Sequence, residues 1–302
     1  MMKEREIAIP GGSMVFGLRD GEAELDRVTG QVAVLEVPEK LPEGQPVTKI
    51  GRKSVLGKKQ LRRVRLPAGI REVGDWAFAS CSHLKTVVMP AAVLGKGVFQ
   101  ECVELAELRL AGSESGDDED TAALLAYVAR ESDTGYLQDL SLAGAEDWLR
   151  KWDARLMKIL READQEGFSR QILCGEEDYG VTDLTAYESS RRVRKAELSM
   201  LRLIHDRGLA EGIRDQLTEF LLDHCRKDSG GKYGDETWQM IRLLHGEDRD
   251  WYRHFVTLGC TERGDLDRML SELGEEHPEM KSYLLGSRNR DRAAAFFDNL
   301  AL

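Results

Sequence analysis

Residues Ile50–Pro67 read IGRKSVLGKKQLRRVRLP, Val73–Pro90 read VGDWAFASCSHLKTVVMP, and Leu94–Ala111 read LGKGVFQECVELAELRLA. The three segments align. Gly51, Gly74 and Gly95 share one column, which sets periods of 23 and 21 residues. Val55, Phe78 and Phe99 form a second column, and Leu61, Leu84 and Leu105 a third. Val64, Val87 and Leu108 follow, then Leu66, Met89 and Leu110. These last two columns stand two residues apart, the spacing of side chains on one face of a strand. In the first two copies a proline ends the strand, because it cannot donate to a ladder. Glycine then permits a tight corner. A unit this short cannot bury its own apolar face, so successive copies must stack with their strands parallel. The column of Val55, Phe78 and Phe99 then fills the interior. A degenerate earlier copy lies at Val32, Leu35, Val37 and Pro38.

Gly74, Ala77, Phe78, Cys81, Leu84, Val87, Met89 and Pro90 together resemble the repeat of the bacterial BspA-like leucine-rich repeat family. Gly95, Phe99, Cys102, Leu105 and Leu108 repeat that pattern in register. Gly44 to Gly51 resembles the family's lead-in to a first full coil. The first coil departs from the pattern, with Val55 and Lys58 where the family has Phe and Cys. The likeness covers residues 13–111. It implies a leucine-rich-repeat solenoid and a role in binding proteins, often at cell surfaces.

A short solenoid exposes core at both ends, so both need caps. Met14 to Val28 alternates around Asp20-Gly21, which predicts a hairpin over the first coil, and the helical module is the natural cap at the other end. Charge divides the chain in the same place as the repeats do. Residues 1–112 carry 17 Lys+Arg against 14 Asp+Glu, whereas the remainder carries 26 against 40, within a formal net charge of −11. The run Gly112–Asp120, GSESGDDED, reads as a solvated acidic linker over 113–120. The expected organisation is a repeat domain over 1–112, that linker, and a helical domain over 121–302.

From Asp120 the apolar period lengthens toward 3.6. Trp148, Trp152, Leu156 and Ile159 form one stripe. Val193, Ala196, Met200, Leu201 and Ile204, joined by Leu198 and Leu203, form a wide one that predicts a central buried helix. Shorter stripes lie at Trp238, Ile241 and Leu244, at Trp251, Phe255 and Leu258, and at Leu266, Met269, Leu270 and Leu273. Glycines between them read as helix stops. Short helices with short connections predict antiparallel pairs. Asp250–Leu285 weakly resembles ankyrin- or HEAT-like hairpins, with no strict period. The fold class is therefore α+β: a short amino-terminal solenoid with a hairpin cap, then an all-α domain of short antiparallel helices.

Composition narrows the function classes. With 41% hydrophobic and 32% charged residues, the chain is globular rather than disordered. The longest apolar run, Ala122–Ala129, is far short of the roughly 18 residues that span a bilayer. The amino end lacks the apolar core of a signal peptide. Five cysteines, an odd count without C-x-x-C spacing, read as reduced buried thiols in a cytoplasmic protein.

No phosphate cradle, zinc signature or nucleophile elbow occurs, so neither cofactor nor metal nor small-molecule substrate is expected. His205, His224 and His245 fall near helix C-termini, where a cation suits the dipole. Cys81 and Cys102 read as packing residues. Cys174 lies beside acids that would raise its pKa. Arg191 to Lys195 reads as a solvated helix face.

The sharpest local feature is Lys49–Arg71, nine basic residues and no acid. With Val64 and Leu66 facing in, Arg63 and Arg65 face out, next to Thr86, Val88, Glu107 and Arg109 on neighbouring strands. These six residues are the candidate contact surface for a protein partner with an acidic surface. Nucleic acid is disfavoured, because the rest of the chain is acidic and no aromatics interleave the basic run. The expected function is a non-catalytic protein–protein interaction module or scaffold. Two alternatives are a cell-surface adhesion protein and an enzyme of unrecognised type in the helical domain, where a pocket gathering acids, His and Tyr179 or Tyr187 would be the sign.

Overall fold

The computed structural model describes residues 4–113, 118–130, 139–168, 183–226, 234–263, 265–275 and 277–286. They form two compact units, Met1–Trp152 and Asp153–Leu302.

The first unit begins with an antiparallel meander, β1 (Glu4–Ile9), β2 (Gly12–Arg19) and β3 (Glu22–Gly30). Asp20 and Gly21, with φ of 51° and 82°, make the turn between β2 and β3, as Asp-Gly between alternating strands predicts. The hairpin is therefore present, and β1 extends it by a third strand. Strand β3 then pairs in parallel with β5 (Val47–Ile50), and β5 is followed by β7 (Glu72–Val73) and β9 (Val93–Leu94). The meander thus covers the first coil by continuing one of its sheets.

The other side of each coil contributes β4 (Val34–Glu36), β6 (Arg63–Arg65), β8 (Thr86–Met89) and β10 (Glu107–Leu110), all parallel in the order β10-β8-β6-β4. The degenerate early copy supplies β4. Leu35, Val64, Val87 and Leu108 face inward in one register row, and all are buried. Between the sheets sit Val55, Phe78 and Phe99, each fully buried.

The glycine column has a different cause from the tight corner expected of it. None of Gly51, Gly74 and Gly95 is among the glycines with positive φ. A Cβ on Gly74 would lie 2.7 Å from the backbone nitrogen of Arg52, and one on Gly95 would lie 2.6 Å from that of Asp75. Successive coils touch backbone to backbone at this column, and a side chain would hold them apart. Ladder bonds continue beyond the strands on the same spacing. The N–H of Val55 donates to Ala77 O at 2.8 Å, and that of Phe78 to Val98 O at 3.0 Å.

The far end of the solenoid is closed by α1 (Glu119–Arg130), which packs on β10. Every residue from Thr121 to Ala129 is buried. Trp152 stands edge-on to Tyr127, 6.1 Å between ring centres, and its Nε1 donates to Leu124 O at 3.4 Å. The two compact units divide between Trp152 and Asp153, and the end of the acidic run leads into α1. Asp118, inside that run, accepts from the Thr121 N–H and hydroxyl and so begins α1. A continuous apolar helix is more stable covering the last coil than outside it. The boundary lies within α2 (Glu146–Arg161). Residues 114–117 are outside the described residues.

In the second unit α3 (Leu184–Ile204) packs against α4 (Glu211–Asp223), α5 (Glu236–Leu244) and α6 (Arg249–Thr257). It is the central helix that its wide apolar surface predicts. Two short helices follow, α7 (Cys260–Arg263) and α8 (Leu266–Glu272). His205, His224 and His245 are the C-cap residues of α3, α4 and α5. Among the described residues no helix is long and apolar enough to cross a membrane.

The reading of Arg191 to Lys195 as a solvated face is corrected. Lys195 is buried, its Nζ donating to Glu162 O and Asp164 Oδ1, both at 2.6 Å. Arg192 reaches Glu236 Oε1 at 2.7 Å and Asp164 Oδ2 at 3.2 Å. Carboxylates supplied from distant positions make burial of these cations affordable.

Candidate functional site

The four-stranded sheet turns one residue in two away from the core. Its outer face therefore consists of two register rows. The first is Val34, Arg63, Thr86 and Glu107; the second is Glu36, Arg65, Val88 and Arg109. All six residues singled out from the sequence lie in these rows. Arg63 and Arg65 are exposed, while Thr86, Val88, Glu107 and Arg109 are half-buried. Val34 and Glu36 were missed, although the spacing of Val32, Leu35 and Val37 already contained the signal for β4.

The charges on this face are unequally engaged. Arg109 Nε pairs with Glu107 Oε2 at 3.0 Å. Arg63 and Arg65, on an inner strand, have no ion-pair partner among the described residues. They stand about 6.5 Å apart along β6, the repeat of two residues in a strand. Two exposed guanidinium groups without ion-pair partners among the described residues can each receive a carboxylate two-pronged.

The rest of the basic run is dispersed rather than presented as one patch. Lys49 pairs with Glu72 at 2.9 Å, and Arg71 pairs with Glu22. Glu22 is held below the ordinary carboxylate range by hydrogen bonds from Thr48 and then Arg71. Lys58 Nζ donates to Gly30 O at 3.1 Å. Arg52 and Lys53 lie over the ring of Trp76.

The cysteine column is interior. Cys81 Sγ donates to Val55 O and Cys102 Sγ to Phe78 O, each at 3.2 Å, so each thiol bonds to the preceding coil. Burial pushes their pKa values up to about 11 and about 12. A thiol so held is protonated and a poor nucleophile. Cys174 and Tyr179 lie outside the described residues. The Tyr187 hydroxyl donates to Glu166 O at 2.6 Å. A pocket of about 350 Å³ at the start of α2 is lined by Asp139, Leu142, Ala145, Glu146, Asp147, Trp148 and Lys151. Neither imidazole, thiol nor hydroxyl lines it.

The stacked parallel coils, the buried aromatic column and the thiol bonded to the coil before it occur together over one stretch of chain. That stretch, residues 40–115, matches the family model described as BspA type leucine rich repeat region, in six copies. Residues 40–115 are a BspA-type leucine-rich repeat region. Such repeats typically mediate protein–protein contact or surface adhesion.

Among solved structures, the BspA-type coils bring a likeness to the Treponema pallidum leucine-rich repeat protein. It is 26% identical, with 34% of this chain and 49% of that chain covered and a TM-score of 0.31. A leucine rich cell surface protein from Faecalibacterium prausnitzii is 25% identical over 35% of this chain and 33% of that one, TM-score 0.29. A leucine-rich repeat protein from Bacteroides ovatus is 23% identical over 34% and 29%, TM-score 0.31. The chain thus spans less than half the length of each of these three. No curated protein matches it.

Proposed function

We propose that this protein is a non-catalytic interaction scaffold whose BspA-type sheet face holds a protein partner with an acidic surface. The observation that carries the reading is the pair of exposed guanidinium groups on β6, Arg63 and Arg65, without ion-pair partners among the described residues. Thr86, Val88, Glu107, Arg109, Val34 and Glu36 complete the contact surface around them. Charged groups left unneutralised on a rigid face steer and orient a complementary partner. The setting we propose is cytoplasmic. Support comes from the four described cysteines, all buried free thiols.

The test compares the full chain with the double variant Arg63→Glu/Arg65→Glu, and with Arg5→Glu/Arg150→Glu as a reversal away from the face. A partner recovered by wild type and by the second variant, but weakened at least about tenfold by the first, is the expected result. Equal recovery by all three would sink the assignment of the face.

A further inference from the structure

The alignment of the coils places Arg52, Asp75 and Lys96 in one column and Lys53, Trp76 and Gly97 in the next. In space these columns converge on one ring. The Arg52 guanidinium carbon lies 5.0 Å from the Trp76 ring centre, Lys53 Nζ 5.4 Å and Lys96 Nζ 5.9 Å. Three successive coils thus gather three cations around one half-buried indole. All three cations are exposed, and none has an ion-pair partner among the described residues.

The backbone is committed to this arrangement. Lys53, Trp76 and Gly97 all adopt the left-handed conformation, with φ of 57°, 54° and 60°. Glycine alone does so freely. A Cβ on Gly97 would lie 2.9 Å from Trp76 Nε1, so Gly97 lets the ring edge settle against the backbone. Asp75 offsets one of the three charges, and its Oδ1 accepts from the Lys96 backbone N–H at 2.8 Å.

We propose that the Trp76 cluster is a binding site for a dianionic phosphoryl group. Three cations against the Asp75 carboxylate leave two positive charges. A carboxylate would leave one uncompensated, whereas a phosphate monoester carries about −1.5 to −2 at neutral pH and three acceptor oxygens. Each cation lies within 6 Å of the Trp76 ring centre, so an anion bound beside the ring is attracted by charge from three successive coils. Charge-assisted bonds from Arg and Lys to phosphate oxygens are the strong class of hydrogen bond. The phosphoryl group has two possible sources, the free ion or a phosphorylated partner chain. The site lies beside β7 and β9, in the other sheet from Arg63 and Arg65, and does not depend on the role of those residues.

The test is a titration of the full chain followed by the indole ¹H–¹⁵N signal of Trp76, assigned with Trp76→Phe. The probes are inorganic phosphate, a phosphoserine peptide, the same peptide unphosphorylated, and acetate at matched ionic strength. Phosphate and the phosphopeptide are expected to shift the signal saturably, and acetate and the plain peptide are not. Affinity for the phosphopeptide should fall about tenfold from about pH 7.5 to about pH 5, as the phosphoryl group takes up its proton. Arg52→Gln/Lys96→Gln should weaken binding by about tenfold or more while the denaturation midpoint stays near wild type. Tighter binding of the phosphopeptide than of inorganic phosphate assigns the group to a partner chain, and equal binding assigns it to the free ion. A shift without saturation, an equal response to acetate, or undiminished binding by Arg52→Gln/Lys96→Gln would overturn the site.

Discussion

The rings of Phe78 and Phe99 lie 5.5 Å apart and within 9° of parallel, one per coil, both wholly removed from solvent. The stack joins neighbouring coils at the point where neither could bury its own side chain. Phe78→Ala therefore removes a ring and leaves its partner facing a void. Large-to-small changes of this kind cost about 3–5 kcal/mol. A denaturant titration of the full chain measures the loss. A cost below about 1 kcal/mol would mean that the ring is not interior.

Gly74→Ala tests the reason offered for the glycine column. The added methyl meets the Arg52 backbone nitrogen at 2.7 Å, and backbone cannot rotate away as a side chain can. Overpacking of this type costs about 1–3 kcal/mol. Gly21→Ala distinguishes this from a requirement of φ alone, since Gly21 has φ of 82° and nothing near its Cβ position. Loss at Gly74, where φ is ordinary, is expected to show as a lowered midpoint in the same titration.

The repeat was legible because stacked coils impose one environment on every member of a column. Apolar identity at Leu61, Leu84 and Leu105 therefore repeats in the sequence as burial repeats in space. The outward rows followed from strand alternation, which is why Arg63, Arg65, Thr86, Val88, Glu107 and Arg109 fall where expected. What periodicity does not encode is the partner of a charge. Arg202 and Asp153 are 49 positions apart, and Arg192 and Glu236 are 44 apart. Nothing local in Arg191 to Lys195 distinguishes a cation that meets a distant carboxylate from one that meets water. A helical cap at the far end was expected, but the start of α1 was hidden for a related reason. Its acidic approach resembles a linker, while its buried face is defined by β10.

Thiol chemistry tests the packing of Cys81 and Cys102. With pKa values raised to about 11 and about 12, Cys81 and Cys102 are almost entirely protonated at about pH 8. Each also donates to a buried carbonyl. Alkylation of the native protein followed by peptide mapping is expected to leave both unmodified, and both should react after denaturation. Modification of either in the native state at the rate of an exposed thiol would contradict the packing of that column.

Arg202 and Asp153 form a buried pair in the second unit. Nε meets Oδ1 at 2.6 Å and Nη2 meets Oδ2 at 3.2 Å. The remaining guanidinium bonds go to the carbonyls of His205 and Arg207. Asp153→Ala leaves a buried cation without its carboxylate, which costs about 3–5 kcal/mol. Removing both charges, in Asp153→Leu/Arg202→Met, takes away the desolvation penalty along with the attraction. The double variant is expected to be more stable than Asp153→Ala alone. A double variant as unstable as the sum of its parts would show that the pair is not one unit.

His224 is expected to make the second unit sensitive to mild acid. It is buried at the end of α4, its ring stacked on Phe220 with 4.1 Å between centres and Nδ1 2.7 Å from Phe220 O. Burial lowers its pKa below the ordinary 6.5, and Arg192 adds to that. The contact with Phe220 O and the carboxylates of Glu236 and Asp164 oppose without reversing it. The sign follows from proton uptake. Above the unfolded pKa both states are neutral at this position, and its contribution is intact. As pH falls through 6.5 the unfolded chain takes up the proton first, so the folded state loses ground until its own lower pKa is passed. Denaturation midpoints should therefore decline between about pH 7.5 and about pH 5, above the range in which carboxylates titrate. His224→Gln keeps a polar group near Phe220 O but cannot gain the charge. Its midpoint is expected to vary less over that interval than that of wild type. An identical decline in both proteins would assign the sensitivity to another group.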